Sequence, residues 1–496
     1  MLFNSYYFIF IFLPAALFFF YWLSSLEKSE YAITWLIVAS FFFYGWWNYY
    51  YVGLLLASIL VNYLIGKLLL KKNGVTRKFK LLILILGVGF NLGLLGYFKY
   101  TNFFIKTANI IINESFQTID IMLPLAISFF TFQQVSFLVE VNQGKIKNNK
   151  FLHYLLYVSF FPQLIAGPII RYQEIVPQFK TSNQWRLISE NLSIGLTVFI
   201  IGLFKKVVIA DGIAGYSTPV FDAATDATLV LSFYEAWSGS LSYSFQIYFD
   251  FSGYTDMAIG LARMFGFHLP QNFNSPYKAL NIIEFWRNWH ITLAKFLRDF
   301  LYIPMGGNRK GPGTQFFCIM TTMLLGGLWH GSSWNFIIWG GLHGLCLSIN
   351  HLWYSCQASK GYSLHNSIYT FIWSRVLTFI ILVFLWVPFR ADDMSSTLAI
   401  WKSMVGIYDH NQFFETHIRL AKGWLIALLL IVWFLPNTQQ IMSRFTSSQF
   451  NHNSKSFINK FFYWQPNNFW AVIIASLTVV CFLKLIKPSE FLYFQF

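Results

Sequence analysis

Residues Glu284 to Gly311 read EFWRNWHITLAKFLRDFLYIPMGGNRKG, and Leu324 to Gly344 read LLGGLWHGSSWNFIIWGGLHG. Histidine, arginine and glutamate stand here in text otherwise apolar enough to lie in a bilayer, where an ionisable side chain costs about 2.5–3.5 kcal/mol on insertion scales. A site is the default reading. His290 in WRNWH and His330 in LWHG stand out within it. Wound as one helix at about 100° per residue, Glu284, Arg287, Asn288, Lys295 and Arg298 share a sector about 100° wide, with His290 about 60° beyond Arg287. The expectation is a polar stripe ending in an imidazole. His330 sits between Gly326-Gly327 and Gly331, small residues that admit a second backbone or a thin ligand, so a slot beside the imidazole is expected.

Working outward, the chain is 56% hydrophobic, 21% aromatic and 11% charged, far from the soluble average of about 25% charged. It reads as an all-α integral membrane protein. The net charge of +15 would suit nucleic acid, but the basic residues come as short clusters between apolar runs. That is the positive-inside pattern of membrane topology, so lipid is the expected surrounding and nucleic acid is not expected as a partner. The start, MLFNSYYFIFIFLPAALFFFYWL, lacks a basic leader and a small-residue cleavage site, and reads as a retained span. Cys318, Cys346, Cys356 and Cys481 lie in or beside apolar text without C-x-x-C spacing, as small hydrophobes do.

About 20 apolar residues cross a bilayer as a helix. Candidates are 6–23, 32–49, 51–70, 81–99, 120–140, 152–170, 192–213, 228–248, 315–336, 335–353, 368–388, 422–436 and 467–486. Some of these must be broken or re-entrant. Between 228 and 353 the apolar runs abut with almost no loop, which suggests a buried core of short helices. The basic loops KKNGVTRKFK at 71–80 and KIKNNK at 145–150 should face the cytoplasm. Counting spans from them puts the N-terminus outside and, after about eleven spans, the C-terminus inside. The longest polar stretch, 437–466, is modest, so residues 1–496 read as a single domain with a catalytic core at about 150–390.

Two histidines on separate segments can face one substrate, with an imidazole as general base near neutral pH. The loop PMGGNRKGPG at 304–313 joins glycine flexibility to Arg309 and Lys310, as a cytoplasmic turn or as a mouth for an anionic donor such as a phosphopantetheine. On the second reading the donor would meet Arg287, Lys295, Arg298, Asn308 and Arg309. YFDFSGYTDMAIG at 248–260 places Asp250 and Asp256 in apolar text, expected as structural carboxylates satisfied by the arginines of the 284–311 stretch. FFPQLIAGPIIRY at 160–172 is a non-helical piece that must be enclosed by protein or line a cavity. No H-E-x-x-H, C-x-x-C or G-x-S-x-G occurs, which disfavours a zinc peptidase or a self-contained serine esterase, and no metal is expected.

WRNWHITLAKFLRDFLYIPMGGNRKG followed by LLGGLWHGSSWNFIIWGGLHG, with FFPQLIAGPIIRY, FDFSGYTDMAIG and the opening MLFNSYYFIFIFLP, resembles the membrane-bound O-acyltransferase superfamily. The likeness is to its bacterial branch that O-acetylates alginate and peptidoglycan, and it covers residue 1 to about 390. It implies a multi-span helical bundle of about eleven spans with re-entrant segments around a central tunnel, in the bacterial cytoplasmic (inner) membrane. It also implies transfer of an acetyl group from acetyl-CoA or another acyl thioester, with no bound cofactor, toward a polysaccharide outside the cell. The family's catalytic histidine carries over to His330 and its second motif histidine to His290, which would orient or polarise the donor carbonyl. An exported serine hydrolase-like acetyltransferase is the partner that the resemblance implies. A polysaccharide or lipid-precursor transporter, a non-catalytic assembly protein and D-alanyl transfer to teichoic acid are the rival readings. The transporter would call for inverted-repeat halves, and no self-similarity between halves is seen.

Overall fold

The computed structural model describes residues 1–26, 29–71, 76–180, 188–226, 229–359, 367–407, 415–445, 462–485, 489 and 491–492, and among them regular structure is helical throughout. Residues 72–75 of the expected 71–80 loop and 446–461 of the 437–466 stretch fall outside the described residues, while Arg77–Lys80 open a helix. Among the described residues five helices are long and apolar enough to cross a membrane: Phe8–Ser25, Tyr50–Leu70, Arg77–Ile112, Ser189–Ala223 and Ile368–Arg390. Three shorter apolar helices, Glu30–Gly45, Leu420–Phe434 and Asn468–Lys484, match further candidates.

The expected spans 120–140 and 152–170 are among those that are not continuous helices. In the 120–140 run, residues 114–123 are non-helical and a helix begins only at Ile127, because Pro124 disfavours helical backbone before it and Ala126 is left-handed at φ 64°. In the 152–170 run, helix Phe151–Ser159 gives way to the single turn Phe161–Leu164 and then to irregular chain around Pro168. Residues 160–170 are all buried, as a non-helical piece in apolar surroundings has to be.

The chain forms two compact units, Met1–Gly202 with Tyr254–Pro270 and Phe482–Phe494, and Leu203–Gly253 with Gln271–Cys481 and Gln495–Phe496. In the first, Phe3, Phe8, Phe43, Phe161 and Tyr254 make the aromatic centre. Buried Asn62 and Asn91 join two of its helices through reciprocal amide bonds of 3.1 and 2.6 Å, since a lone amide at depth would be costly. The second unit holds His290, His330, Asp250 and the 284–311 stretch, whereas Asp256 and residues 160–172 belong to the first.

In that second unit Pro312–His330 and Trp334–Ser359 pack as an antiparallel pair joined by three residues. Gly311 at φ 93° and Pro312 start the first of them, the arrangement that spends no backbone N–H at a helix N-terminus. Glycines set their separation: a Cβ on Gly327 would stand 2.1 Å from Phe336 O, and one on Gly340 2.2 Å from Met323 O. The slot expected beside His330 is thus filled by the neighbouring helix, with Gly331 against the Phe336 ring. Of the two occupants that small residues admit, the backbone is the one present.

Candidate active site

Helix Ile282–Asn288 begins where Asn281 Oδ1 accepts the Glu284 amide at 2.8 Å, and it ends at Trp289. The next residue, His290, is left-handed at φ 43° and precedes helix Ile291–Leu297. A non-glycine side chain there costs about 1–2 kcal/mol and persists only where its surroundings enforce it. Residues 272–274 enforce it: the Ile291 amide donates to Asn272 O at 2.9 Å, and the Asn274 amide to Asn288 O at 3.0 Å. The continuous polar stripe expected over 284–298 is therefore broken at His290, which leaves Arg287 and Lys295 on two different helices.

The Asn272 side chain completes the clamp. Its Oδ1 accepts from the Thr292 amide at 3.1 Å, from Thr292 Oγ1 at 2.9 Å, and lies 3.1 Å from His290 Nδ1. A backbone N–H can only donate, so that Asn272 atom is the oxygen, and His290 Nδ1 must carry the proton it shares. The lone pair of a neutral His290 then sits on Nε2.

His330, the last residue of its helix, is 4% exposed, and His290 is fully buried. Their ring centroids are 6.4 Å apart. Trp329, Trp339 and Phe389 close on His330 at 5.0, 5.1 and 5.3 Å, while Phe251 covers His290 at 4.7 Å. A third histidine extends this wall, His343, one turn along its helix from Trp339 and packed at 4.8 Å against that ring. It accepts a hydrogen bond on Nδ1 from Trp286 Nε1 at 3.2 Å. Sequence reasoning reached the edge of this segment but gave His343 no role, although a third histidine in the same apolar text was a signal. Asn272 and Thr292 carried no signal, since only the fold brings 272 beside 290.

The expected donor-binding residues lie elsewhere. Arg287, Lys295, Arg298, Asn308 and Arg309 are all exposed, with Arg298 paired to Asp299 at 2.7 Å. The carboxylate expectation also changes. The cation shown on Asp250 is Lys206, at 2.6 Å, and Lys206 bonds Asp211 as well at 2.9 Å. Lys206 lies in a π-helical stretch, Lys205–Ala210, and is 2% exposed. Among the described residues no three His, Cys, Asp or Glu side chains gather to hold a metal ion.

Residues 139–389, which include both histidines, match the model of the membrane-bound O-acyltransferase family. The chain belongs to that family. It is 45% identical to a peptidoglycan O-acetyltransferase of Helicobacter pylori over 433 residues, covering 82% of this chain and 80% of that one. It is 38% identical to a probable alginate O-acetylase AlgI of Pseudomonas aeruginosa over 442 residues, 88% of this chain and 81% of the relative. A teichoic acid D-alanyltransferase of Bacillus subtilis is more distant, 29% identical over 269 residues and 51% of this chain, with 65% of the relative covered. As a family member the chain is a membrane acyltransferase, and the histidines above are its candidates for the chemistry.

Proposed function

We propose that this acyltransferase moves an acetyl group from a cytoplasmic thioester, acetyl-CoA or a carrier-bound equivalent, across the bacterial inner membrane for O-acetylation of an extracytoplasmic polysaccharide. The observation that carries the reading is the meeting of two buried imidazoles at 6.4 Å inside an aromatic shell. The names of relatives similar over four-fifths of the chain, which refer to peptidoglycan and alginate, point to the acceptor class.

In this reading His330 is the general base. It takes the proton of an incoming hydroxyl as that oxygen attacks the thioester carbonyl carbon. The C–S bond then breaks and the leaving sulfur receives the proton from His330, which gives ester and free thiol. Acid–base help of this kind contributes about 10²–10⁴ in rate, and enclosure adds proximity. His290 has its Nδ1–H engaged by Asn272. Its Nε2 can accept but not donate, so it orients the hydroxyl and does not polarise the donor carbonyl.

The reading carries the rest of the family picture with it: one domain of about eleven spans with re-entrant segments around a tunnel, N-terminus outside and C-terminus inside. Exposed Arg287, Lys295, Arg298, Asn308 and Arg309 would then gather the anionic head of the donor at the cytoplasmic mouth. Imidazoles enclosed by aromatic rings are better reached by a thin nucleophile than by a polymer, so an exported serine hydrolase-like acetyltransferase would take the acetyl group and pass it on. Proteoliposomes given acetyl thioester inside and polysaccharide outside should leave the polymer unmodified until that partner is added. Full acetylation without a partner would refute the relay.

A further inference from the structure

We propose that His343 and Trp339 are a pair of N–H donors for the oxygen of the acyl carbonyl, a role that rests on the acyl-transfer reading above. An indole N–H can only donate, so the bond from Trp286 Nε1 makes His343 Nδ1 an acceptor. The ring is therefore neutral and its proton is on Nε2. His343 is fully buried and Trp339 1% exposed, and neither His343 Nε2 nor Trp339 Nε1 meets an acceptor among the described residues. A buried donor left without a partner costs about 1–3 kcal/mol, so two of them in one place call for an acceptor that arrives with a ligand.

Their position gives that acceptor its chemistry. The two rings meet at 4.8 Å, and Trp339 also lies 5.1 Å from the His330 ring. An oxygen held by both N–H groups thus belongs to a carbon within reach of the hydroxyl that His330 deprotonates. As the hydroxyl oxygen attacks the carbonyl carbon, the carbonyl π pair moves onto the carbonyl oxygen, where the two N–H groups hold the charge. The pair returns as the C–S bond breaks. Donors aimed at developing charge in a water-excluded site are the strongest single device in acyl transfer. His290, with its proton spent on Asn272, cannot supply this N–H.

Two pantetheine probes test the pair on the purified full chain: a trifluoromethyl ketone, which becomes tetrahedral, and an ethyl thioether, which has no oxygen to hold. Wild type should prefer the ketone. His343→Phe and Trp339→Phe keep an aromatic ring, and each should lose about 10²-fold of that preference with thioether affinity changed by less than about threefold. His343→Gln, which keeps an N–H, should recover part of it. An unchanged preference overturns the proposal even if thermal stability falls, since that result leaves the N–H groups a purely structural acceptor such as a water. His330→Ala, measured alongside, should stop turnover and keep thioether binding. Full turnover in His330→Ala would refute the base assignment while leaving the probe preference to decide the donor pair.

Discussion

Two buried polar clusters in the same unit solve the problem of depth in opposite ways. At Lys206, one ammonium is shared by Asp250 at 2.6 Å and Asp211 at 2.9 Å, so charge is met by charge. At His290 and His330, imidazole rings 6.4 Å apart are enclosed by Phe251, Trp329, Trp339 and Phe389, and orientation comes from hydrogen bonds such as that from His290 Nδ1–H to Asn272 Oδ1. The first arrangement ties helical segments together, because one ammonium binds both carboxylates at short range. On the proposed reading, the second keeps a proton-accepting nitrogen buried among aromatic rings, as a base needs.

Removing one partner from each cluster should therefore produce different losses. Lys206→Met leaves buried Asp250 and half-buried Asp211 without their cation and should cost about 3–5 kcal/mol of stability. Activity per folded molecule should change little, as judged by thermal unfolding and turnover in detergent. If the variant kept its stability and lost its turnover, the two clusters would have to exchange roles. Asn272→Ala should do the reverse: turnover falls about 10–100-fold, part of the full acid–base contribution, as His290 loses the partner that fixes its proton. Asn272→Asp, whose carboxylate still accepts from Nδ1, should recover much of that loss, and equal turnover in both variants would argue against the orienting role.

Between these extremes stands the glycine contact that carries His330. Gly327→Ala places a methyl 2.1 Å from Phe336 O and should cost about 1–3 kcal/mol, with turnover falling because the helix end moves. Asp393 supplies the exposed reference, a carboxylate whose value lies below its usual 3.8 because the Ser396 amide, then the Ser396 and Ser395 hydroxyls, donate to it. It caps helix Met394–Met404, so Asp393→Ala should cost about 1 kcal/mol. Its folded-state value is depressed, so that contribution is present above the unfolded value and lost as pH falls through the folded one. Parallel unfolding curves for wild type and variant should converge in acid. A constant gap down to low pH would mean the cap works without its charge.

The legible part of this molecule was the part written in single residues. Ionisable His290 and His330 in apolar text single out two residues whose rings the fold brings to 6.4 Å, and helical class follows from composition and span length. What the chain does at 289–290 was not legible, since no glycine or proline marks the break and the left-handed turn is imposed by residues 272–274. Lys206 as partner of Asp250 was hidden for a related reason. Nearby arginines looked like the natural counter-charges, but 206 and 250 are neighbours only through the fold. The cations at 287–309 were visible and are exposed, where charge can attract a donor without touching the reacting atoms.

The most direct measurement of the central claim is release of free thiol from an acetyl thioester, in the presence of acceptor, by wild type and His330→Ala at matched folded protein and matched donor binding. We expect a loss of about 10²–10⁴-fold with donor affinity retained. Wild-type thiol release and acceptor acetylation by His330→Ala would contradict the assignment of His330 as the base.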